Sequence, residues 1–307
     1  MSTRERTPGV ERLRRSSHFV PGANDKMLQK SLDSNADSLI LDLEDAVTPD
    51  MKDDARLVVT RWLQQAEFGH KERVVRMNAL DTPWALKDLE ITMQGAPDAY
   101  LVPKVSTLDE LHLIDEQISK WEAQYNLPVH QTGLLLVASE TPRAALNLPT
   151  FPECQRVVGM TWGAEDLSAA LGAKRNRDEQ GRYLSVFEHC RNMVLLSAAA
   201  GGVQPMDGVY VDFKDSSGLA RECEEAAWMG FTGKITIHPN QIDIVNAAFS
   251  PSEEDVARAQ RLLEAFEEAE AQGLMAISFE GQMVDVPHQK QAEKLLERAA
   301  FIKANET

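Results

Sequence analysis

The stretch at 157–167, VVGMTWGAEDL, changes its character twice along its length. Its first half is apolar, which is typical of a buried strand. Gly163 ends that run, and two adjacent acids, Glu165 and Asp166, follow in a predicted loop before a run of small residues. A strand that ends in a glycine turn and an acid, with a helix after it, is how an α/β barrel presents functional groups. The alternative is that the acid only caps the following helix.

The same order of strand, polar end and helix recurs along the chain. Apolar runs predict eight strands, at 16–20, 37–43, 73–77, 99–102, 134–138, 157–162, 208–212 and 234–237. Amphipathic spacing predicts helices between them, at 24–34, 50–67, 83–93, 108–125, 184–200 and 216–229. This alternation predicts an α/β fold, the TIM (β/α)₈ barrel. A doubly wound open sheet is the alternative, but the glycine-rich GxGxxG phosphate turn expected there is absent from the sequence.

The pattern predicts a barrel domain at 1–240 and a C-terminal extension at 241–307. In the extension we expect a helix at 241–248 and an acidic helix from the Ser250-Pro251-Ser252 cap to about residue 272. A strand-like stretch at 276–284, interrupted by Gly281, precedes a last helix at 289–303. These residues exceed what a barrel needs. We expect them to form a helical lid over the site or an arm that reaches a neighbouring subunit.

Composition excludes several classes of function. The net charge of −16, from 32 basic and 48 acidic residues, argues against nucleic acid or an anionic membrane as a partner. No apolar run is long enough to span a bilayer. The charged start of the chain lacks the apolar segment of a secretory signal. Three widely spaced cysteines without a CxxC pair favour a reducing, cytoplasmic compartment.

Polar side chains follow most of the predicted strands, and the carboxyl ends of barrel strands converge on one mouth. Acids stand at four of these ends, and His238 stands at the eighth. Carboxylates with at most one histidine nearby favour Mg²⁺ or Mn²⁺ over zinc. The strongest candidate ligands are Glu140 and Asp166, after neighbouring strands five and six. The alternatives are that Asp166 is a helix cap and that the other acids form structural ion pairs with Arg76 or Lys104.

Seven segments occur here in the order found in one family. They are FVPG (19–22), LDLEDAV (41–47), VRMN (75–78), SETPR (139–143), GAEDLSAALG (163–172), GKITIHPNQ (233–241) and GQMVDVPH (281–288). In these segments the chain resembles the citrate lyase β-subunit-like acyl-CoA lyases of the HpcH/HpaI aldolase superfamily, which include malyl-CoA, β-methylmalyl-CoA and citramalyl-CoA lyases. The resemblance covers nearly the whole chain.

The resemblance implies a Mg²⁺-dependent TIM barrel that cleaves a β-hydroxyacyl thioester into an acyl-CoA and a 2-oxo acid, glyoxylate or pyruvate. It implies Glu140 and Asp166 as metal ligands and Arg76 facing the thioester carbonyl. It implies Asp285 as the acid–base group, on a segment that closes over a neighbouring subunit in trimers or hexamers. It places Phe19, Lys26 and Arg76 at the coenzyme A thioester. Without the resemblance, Asp285 would be a turn residue or helix cap before Pro287.

Two departures from the family pattern bear on the substrate. Members often carry an arginine-rich stretch after FVPG, whereas 23–26 read ANDK here and leave only Lys26. An alanine-arginine-glycine run usually follows the fifth strand, and Pro142, Arg143 and Ala144 stand there instead. The alternatives are therefore a malyl-CoA-type thioesterase, a citrate lyase β subunit that acts on a carrier-protein thioester, and a ligand-binding barrel without activity.

Overall fold

The computed structural model describes residues 12–271 and 273–305. The charged start that bears on a secretory signal therefore lies largely outside the described residues, and so does Gln272, near the expected end of the acidic helix. Two compact units divide between Asn246 and Ala247. No helix in the described ranges is both long and apolar enough to cross a membrane.

The first unit is a (β/α)₈ barrel, which confirms the predicted fold. Its eight strands are β1 Ser16–Pro21, β2 Ser38–Asp42, β3 Glu72–Arg76, β4 Ala99–Val102, β5 Gly133–Val137, β6 Val157–Thr161, β7 Gln204–Asp207 and β8 Gly233–Thr236. Each strand pairs in parallel with the next, and β8 pairs with β1, which closes the sheet.

Helices follow the strands and cover the outside of the sheet. They are α1 Asp25–Leu32, α2 Lys52–Gln65, α3 Ala85–Thr92, α4 Leu108–Gln124, α5 Pro142–Asn147, α6 Ala164–Leu171, α7 Ser185–Gly201, α8 Ser216–Met229 and α9 Ile242–Ala248. Alternate strand residues such as Leu39 and Leu41 pack outward, while Ile40 and Val74 pack inside the barrel. Because successive side chains of a strand point to opposite faces, the apolar runs serve both cores.

The seventh strand was predicted in the wrong place. The prediction put it at 208–212, GVYVD, whereas β7 is Gln204–Asp207 and the predicted segment belongs to the loop before α8. The β-branched residues favoured GVYVD, and Pro205 argued against the true strand, because proline cannot donate to a ladder. Here β7 is short, and Pro205 still accepts a hydrogen bond through its carbonyl, from the Thr232 N–H at 2.9 Å.

The acids at 165–166 were expected in a loop, and that expectation was also wrong. Gly163 occupies the N-cap position of α6, so Glu165 and Asp166 lie in the first helical turn. Acids are favoured there because the helix dipole is positive at its N-terminus. Asp166 is not the N-cap residue, which removes the capping alternative for it.

A buried ion pair closes the base of the barrel. The guanidinium of Arg14 donates to both carboxylate oxygens of Glu72, at 2.7 and 2.5 Å, and to Gln204 Oε1 at 2.6 Å. Ser38 Oγ adds a hydrogen bond to Glu72 at 2.9 Å. The chain before β1 therefore fills the end of the barrel opposite the loops that follow the strands.

The second unit contains two long helices and a hairpin. α10 Glu253–Glu270 starts at the predicted Ser252 cap, and α11 is Val286–Asn305. The single strand-like stretch is in fact an antiparallel pair, β9 Ala276–Phe279 and β10 Gln282–Asp285. Glu280 and Gly281 turn between them with φ of 49° and 81°. Two left-handed residues match a tight hairpin turn. Leu262 and Phe266 of α10 pack with Val284 in the core of this unit.

Candidate active site

Arg76 at the end of β3 is fixed in place by its neighbours. Its Nε and Nη2 donate to Asp42 Oδ1 and Oδ2, at 2.7 and 2.6 Å, as a two-pronged pair. Nη1 lies 2.8 Å from Glu44 Oε2, and the guanidinium stacks over the Phe19 ring at 4.6 Å. The pair with Asp42 uses the Nε N–H and one N–H of Nη2, and Nη1 also lies 3.6 Å from Asp45 Oδ2. The cation is therefore rigid and keeps donors for a ligand.

Glu44 is the acid that joins Arg76 to the next cation. Its Oε1 accepts from Lys104 Nζ at 2.7 Å. Burial raises the pKa of the Glu44 carboxyl, although the charges of Arg76 and Lys104 act against that shift. The two basic groups and Glu44 thus form one chain of charges across the ends of β2, β3 and β4.

Lys52, at the start of α2, holds the backbone around Glu44 through hydrogen bonds. Its Nζ donates at 2.7 Å to three oxygens, the carbonyls of Leu43 and Glu44 and Oδ1 of Asn78. The ammonium also lies 5.2 Å from the centre of the Trp84 ring. Because the backbone carbonyl of Glu44 is fixed by Lys52, the direction of the Glu44 side chain is fixed too.

The two predicted metal ligands stand at neighbouring strand ends. Glu140 is buried with 4% of its surface exposed, and its Oε2 accepts the backbone N–H of Lys104 at 2.6 Å. The Asp166 side chain is 39% exposed, and its Oδ1 lies 3.4 Å from Lys104 Nζ. Burial, together with the charge of Asp166, raises the pKa of Glu140 to about 8. Such a pKa favours the protonated carboxyl at neutral pH, and the charge of a bound cation would favour the ionised form.

Glycine at 163 makes room for Glu140. A Cβ at this position would lie 2.7 Å from Glu140 Cγ and 3.2 Å from its Oε1. Neither separation is an ordinary van der Waals contact. The glycine that interrupts the sixth strand's apolar run is therefore required for the approach of Glu140 to the start of α6.

The donor chemistry fits a small, hard divalent cation. Glu140 and Asp166 offer oxygen donors, and a bound cation would relieve the repulsion by which the charge of Asp166 raises the pKa of Glu140. In the described ranges no group of three or more His, Cys, Asp or Glu forms a ready cage. Mg²⁺ does not need one, because it commonly takes one or two carboxylates and fills its other positions with water and substrate oxygens.

Three further residues of the first unit, Lys26, Arg143 and His238, do not contact this cluster. Lys26 is exposed in the first turn of α1 and forms no ion pair with a described residue. Arg143 is exposed in α5. His238 Nδ1 accepts the Asn240 N–H at 3.2 Å, as a turn residue does, and its ring stacks on Phe213 at 4.8 Å.

Asp285 ends β10 in the second unit, directly before α11. Its Oδ1 lies 2.6 Å from His288 Nδ1, and its backbone N–H donates to the same nitrogen at 3.2 Å. Asp285 and His288 thus contact each other around the start of α11.

Sequence reasoning missed Lys52 and the central place of Lys104. A lysine in the first turn of a helix is normally exposed, so the sequence carries no signal that Lys52 is buried. Lys104 was expected only as an ion-pair partner, and the structure adds its backbone hydrogen bond to Glu140.

Comparison with known proteins places these residues in context. The sequence profile described as HpcH/HpaI aldolase/citrate lyase matches residues 15–239. A (3S)-malyl-CoA thioesterase of Cereibacter sphaeroides is 37% identical over 290 residues, covering 94% of this chain and 96% of that protein. The mitochondrial citramalyl-CoA lyase of Rattus norvegicus is 34% identical over 304 residues, covering 94% and 87%. The crystal structure of protein CitE from Mycobacterium tuberculosis in complex with magnesium, acetoacetate and coenzyme A has a TM-score of 0.77 at 34% identity, covering 93% and 97%.

Proposed function

This chain belongs to the HpcH/HpaI aldolase/citrate lyase family, and from that premise we propose that it is a Mg²⁺-dependent carbon–carbon lyase of acyl-CoA esters. Its substrate is a β-hydroxyacyl-CoA such as malyl-CoA, β-methylmalyl-CoA or citramalyl-CoA. The products are an acyl-CoA and glyoxylate or pyruvate, and the reaction is reversible. The observation that carries the proposal is the fixed Arg76 cation, which Glu44 and Lys104 connect to the carboxyl groups of Glu140 and Asp166.

Arg76 stabilises the charge that bond cleavage creates. When the C–C bond breaks, its electron pair passes to the carbon next to the thioester and spreads onto the thioester oxygen as an enolate. A donor fixed beforehand at that oxygen binds the transition state more strongly than the ground state. Asp42 and Glu44 hold Arg76 in such a position, and its remaining N–H groups serve the oxygen.

Glu140 and Asp166 would hold the metal. Bound Mg²⁺ supplies Lewis-acid polarisation and a template for the carboxylate and neighbouring oxygen of the 2-oxo acid portion. The N–H groups at 163–166 form the N-terminus of α6, which favours a carboxylate of the substrate. Glu140 remains buried under Gly163 and ionises when it faces a cation.

Asp285 is the proposed acid–base group. In cleavage it takes the proton of the hydroxyl group, and in condensation it returns that proton. The support for this role is the GQMVDVPH segment that the chain shares with the family. Asp285→Asn should abolish turnover while Mn²⁺ binding, measured by electron paramagnetic resonance, stays within twofold of wild type. Loss of both would place Asp285 in the folding of the protein instead.

Phe19 and Lys26 are proposed to contact the coenzyme A thioester. Phe19 supports this by forming the platform under Arg76, and Lys26 by its exposed ammonium at the start of α1. Lys26→Met should then raise KM for the CoA ester and leave kcat nearly unchanged.

We further propose a homotrimer or hexamer in which residues 241–307 serve as a lid or as an arm to a neighbouring subunit. The family resemblance supports this assembly. A cytoplasmic location is supported by the free thiols of Cys154, Cys190 and Cys223. Analytical ultracentrifugation of the full-length chain tests the assembly, and a monomer would contradict it.

The testing experiment supplies the purified chain and Mg²⁺ with the three CoA esters named above. A lyase releases a 2-oxo acid together with acetyl-CoA or propionyl-CoA. The relative named a malyl-CoA thioesterase favours one second candidate, hydrolysis of the thioester at the same site. Free CoA with malate and no 2-oxo acid would replace the lyase by this thioesterase.

A third outcome is a lack of activity on every CoA ester with co-purification of partner subunits. It would indicate the citrate lyase β subunit, which acts on a carrier-protein thioester. Asp166→Ala should abolish Mg²⁺-dependent turnover in every catalytic case, and it is the matched control for all three assays.

A further inference from the structure

Lys104, between β4 and α4, contacts three carboxyl groups of the candidate active site. Its Nζ lies 2.7 Å from Glu44 Oε1 and 3.4 Å from Asp166 Oδ1. Its backbone N–H donates to Glu140 Oε2 at 2.6 Å. One residue therefore touches both proposed metal ligands and the acid that joins them to Arg76.

The backbone of Lys104 is in the left-handed region, with φ of 54°. A side chain makes this conformation unfavourable for every residue except glycine and, to a lesser extent, asparagine and aspartate. Such strain persists where surrounding contacts impose it, and it concentrates at functional sites. The hydrogen bond to Glu140 and the two ion pairs are the contacts that impose it here.

We propose that the Lys104 ammonium is the resident counter-cation of the metal site and that a divalent ion displaces it from Asp166. This inference rests on the proposed function, in which Glu140 and Asp166 hold the metal. Lys104 thereby keeps the carboxyl cluster assembled without metal and lowers the affinity of the site for the metal. The metal-free and metal-bound states differ in the partner of Asp166.

The two ion pairs of Lys104 are unequal, which allows an exchange of partners. The contact with Glu44 is a short hydrogen bond, whereas that with Asp166 is 3.4 Å long and lies on the more exposed side. A third of the Lys104 side chain is accessible to solvent. The ammonium can therefore remain on Glu44 while Asp166 turns to a metal ion.

The test measures Mn²⁺ binding to the full-length chain by electron paramagnetic resonance, in two variants at this position. Lys104→Asn removes the charge and tolerates the left-handed backbone, whereas Lys104→Arg keeps the charge. We expect Lys104→Asn to bind Mn²⁺ about tenfold more tightly than wild type, because a nearby positive charge repels the ion across a partly solvated gap. Lys104→Arg should bind with nearly wild-type affinity.

A second measurement does not depend on the variants. In a crystal of the wild-type chain grown with Mg²⁺, the distance from Nζ to Asp166 Oδ1 should exceed 4 Å, while the Glu44 contact persists. Equal or weaker Mn²⁺ binding by a folded Lys104→Asn, or an Nζ–Asp166 Oδ1 distance that stays below 4 Å beside a bound ion, overturns the proposal. If wild type binds no Mn²⁺, the proposed metal site itself is wrong, and that outcome is distinct.

Discussion

The charge of Glu140 depends strongly on what lies beside it. In the absence of metal its pKa is raised from the ordinary 4.5 to about 8 by burial and by Asp166. The folded chain therefore binds this proton more tightly than the unfolded chain, so the stability contributed by the protonated form is complete below about pH 4.5. That contribution is lost as the pH rises toward 8.

This linkage gives a prediction for the chain in EDTA. Between pH 4.5 and 8 the free energy of unfolding should fall by up to about 1.4 kcal/mol per pH unit through Glu140. Glu140→Gln removes that part of the slope, and Asp166→Asn reduces it, because the charge of Asp166 contributes to the shift. Urea unfolding over this pH range measures the slope. Equal slopes in wild type and Glu140→Gln would contradict the prediction.

Arg76 offers a prediction about geometry at constant charge. Lys keeps the positive charge but cannot bind Asp42 with two parallel hydrogen bonds while it also reaches a thioester oxygen. Arg76→Lys should lower kcat by about 10²–10³, the typical loss for one fixed donor at a developing oxyanion. Steady-state kinetics on the best CoA ester measures the loss. Arg143→Lys is the exposed control and should keep kcat within twofold, and a loss under tenfold for Arg76→Lys would argue against its role.

At the scale of single residues, the sequence indicated which charged side chains are candidates better than it indicated backbone conformation or burial. Glu140, Asp166 and Arg76 could be singled out as candidates because each ends or follows an apolar run, and their roles stay predictions. The φ of Lys104 and the burial of Lys52 could not be found, since both depend on contacts between segments far apart in sequence. Asp285 stays a prediction from the family motif.

Among the elements, α2 is joined to the segment directly after β2 by the buried ammonium of Lys52. Lys52→Met would leave the carbonyls of Leu43 and Glu44 and the Asn78 side chain without this donor. The Leu43 and Glu44 carbonyls each keep a second donor, so we expect a loss of about 1–2 kcal/mol in the free energy of unfolding, mainly from Asn78 Oδ1. Urea unfolding with excess Mg²⁺ measures it. Lys87→Met, at an exposed site in α3, should change stability by less than about 0.5 kcal/mol.

Elements with regular periodicity were predictable, and those that break a local rule were not. β4 and α8 lie where the sequence predicts them, at Ala99–Val102 and Ser216–Met229. β7 was misplaced because closure of the barrel tolerates Pro205 in a short strand. The hairpin of the second unit was read as one strand because its turn has only two residues, of which only Gly281 is a turn signal.

At the scale of the whole barrel, the buried Arg14–Glu72 pair should control global stability. Arg14→Met leaves the buried Glu72 carboxylate with the longer 3.9 Å contact to Arg12 Nε and the Ser38 hydrogen bond, so we expect a loss of about 3 kcal/mol in unfolding free energy. The double variant Arg14→Met, Glu72→Met removes both charges and should recover most of that loss. Thermal and urea unfolding of wild type, single and double variants measure the pattern. A double variant as unstable as the single one would show that packing, and not charge, accounts for the effect.

The same ion pair has a consequence for substrate entry and product release. Side chains are packed inside the barrel, and the Arg14–Glu72 pair closes the end at the start of the strands. The barrel interior is therefore not a channel. Substrate and both products therefore pass through one opening, at the carboxyl ends of the strands. For a reaction with two products, a single opening means that the product bound nearer to the opening is released first.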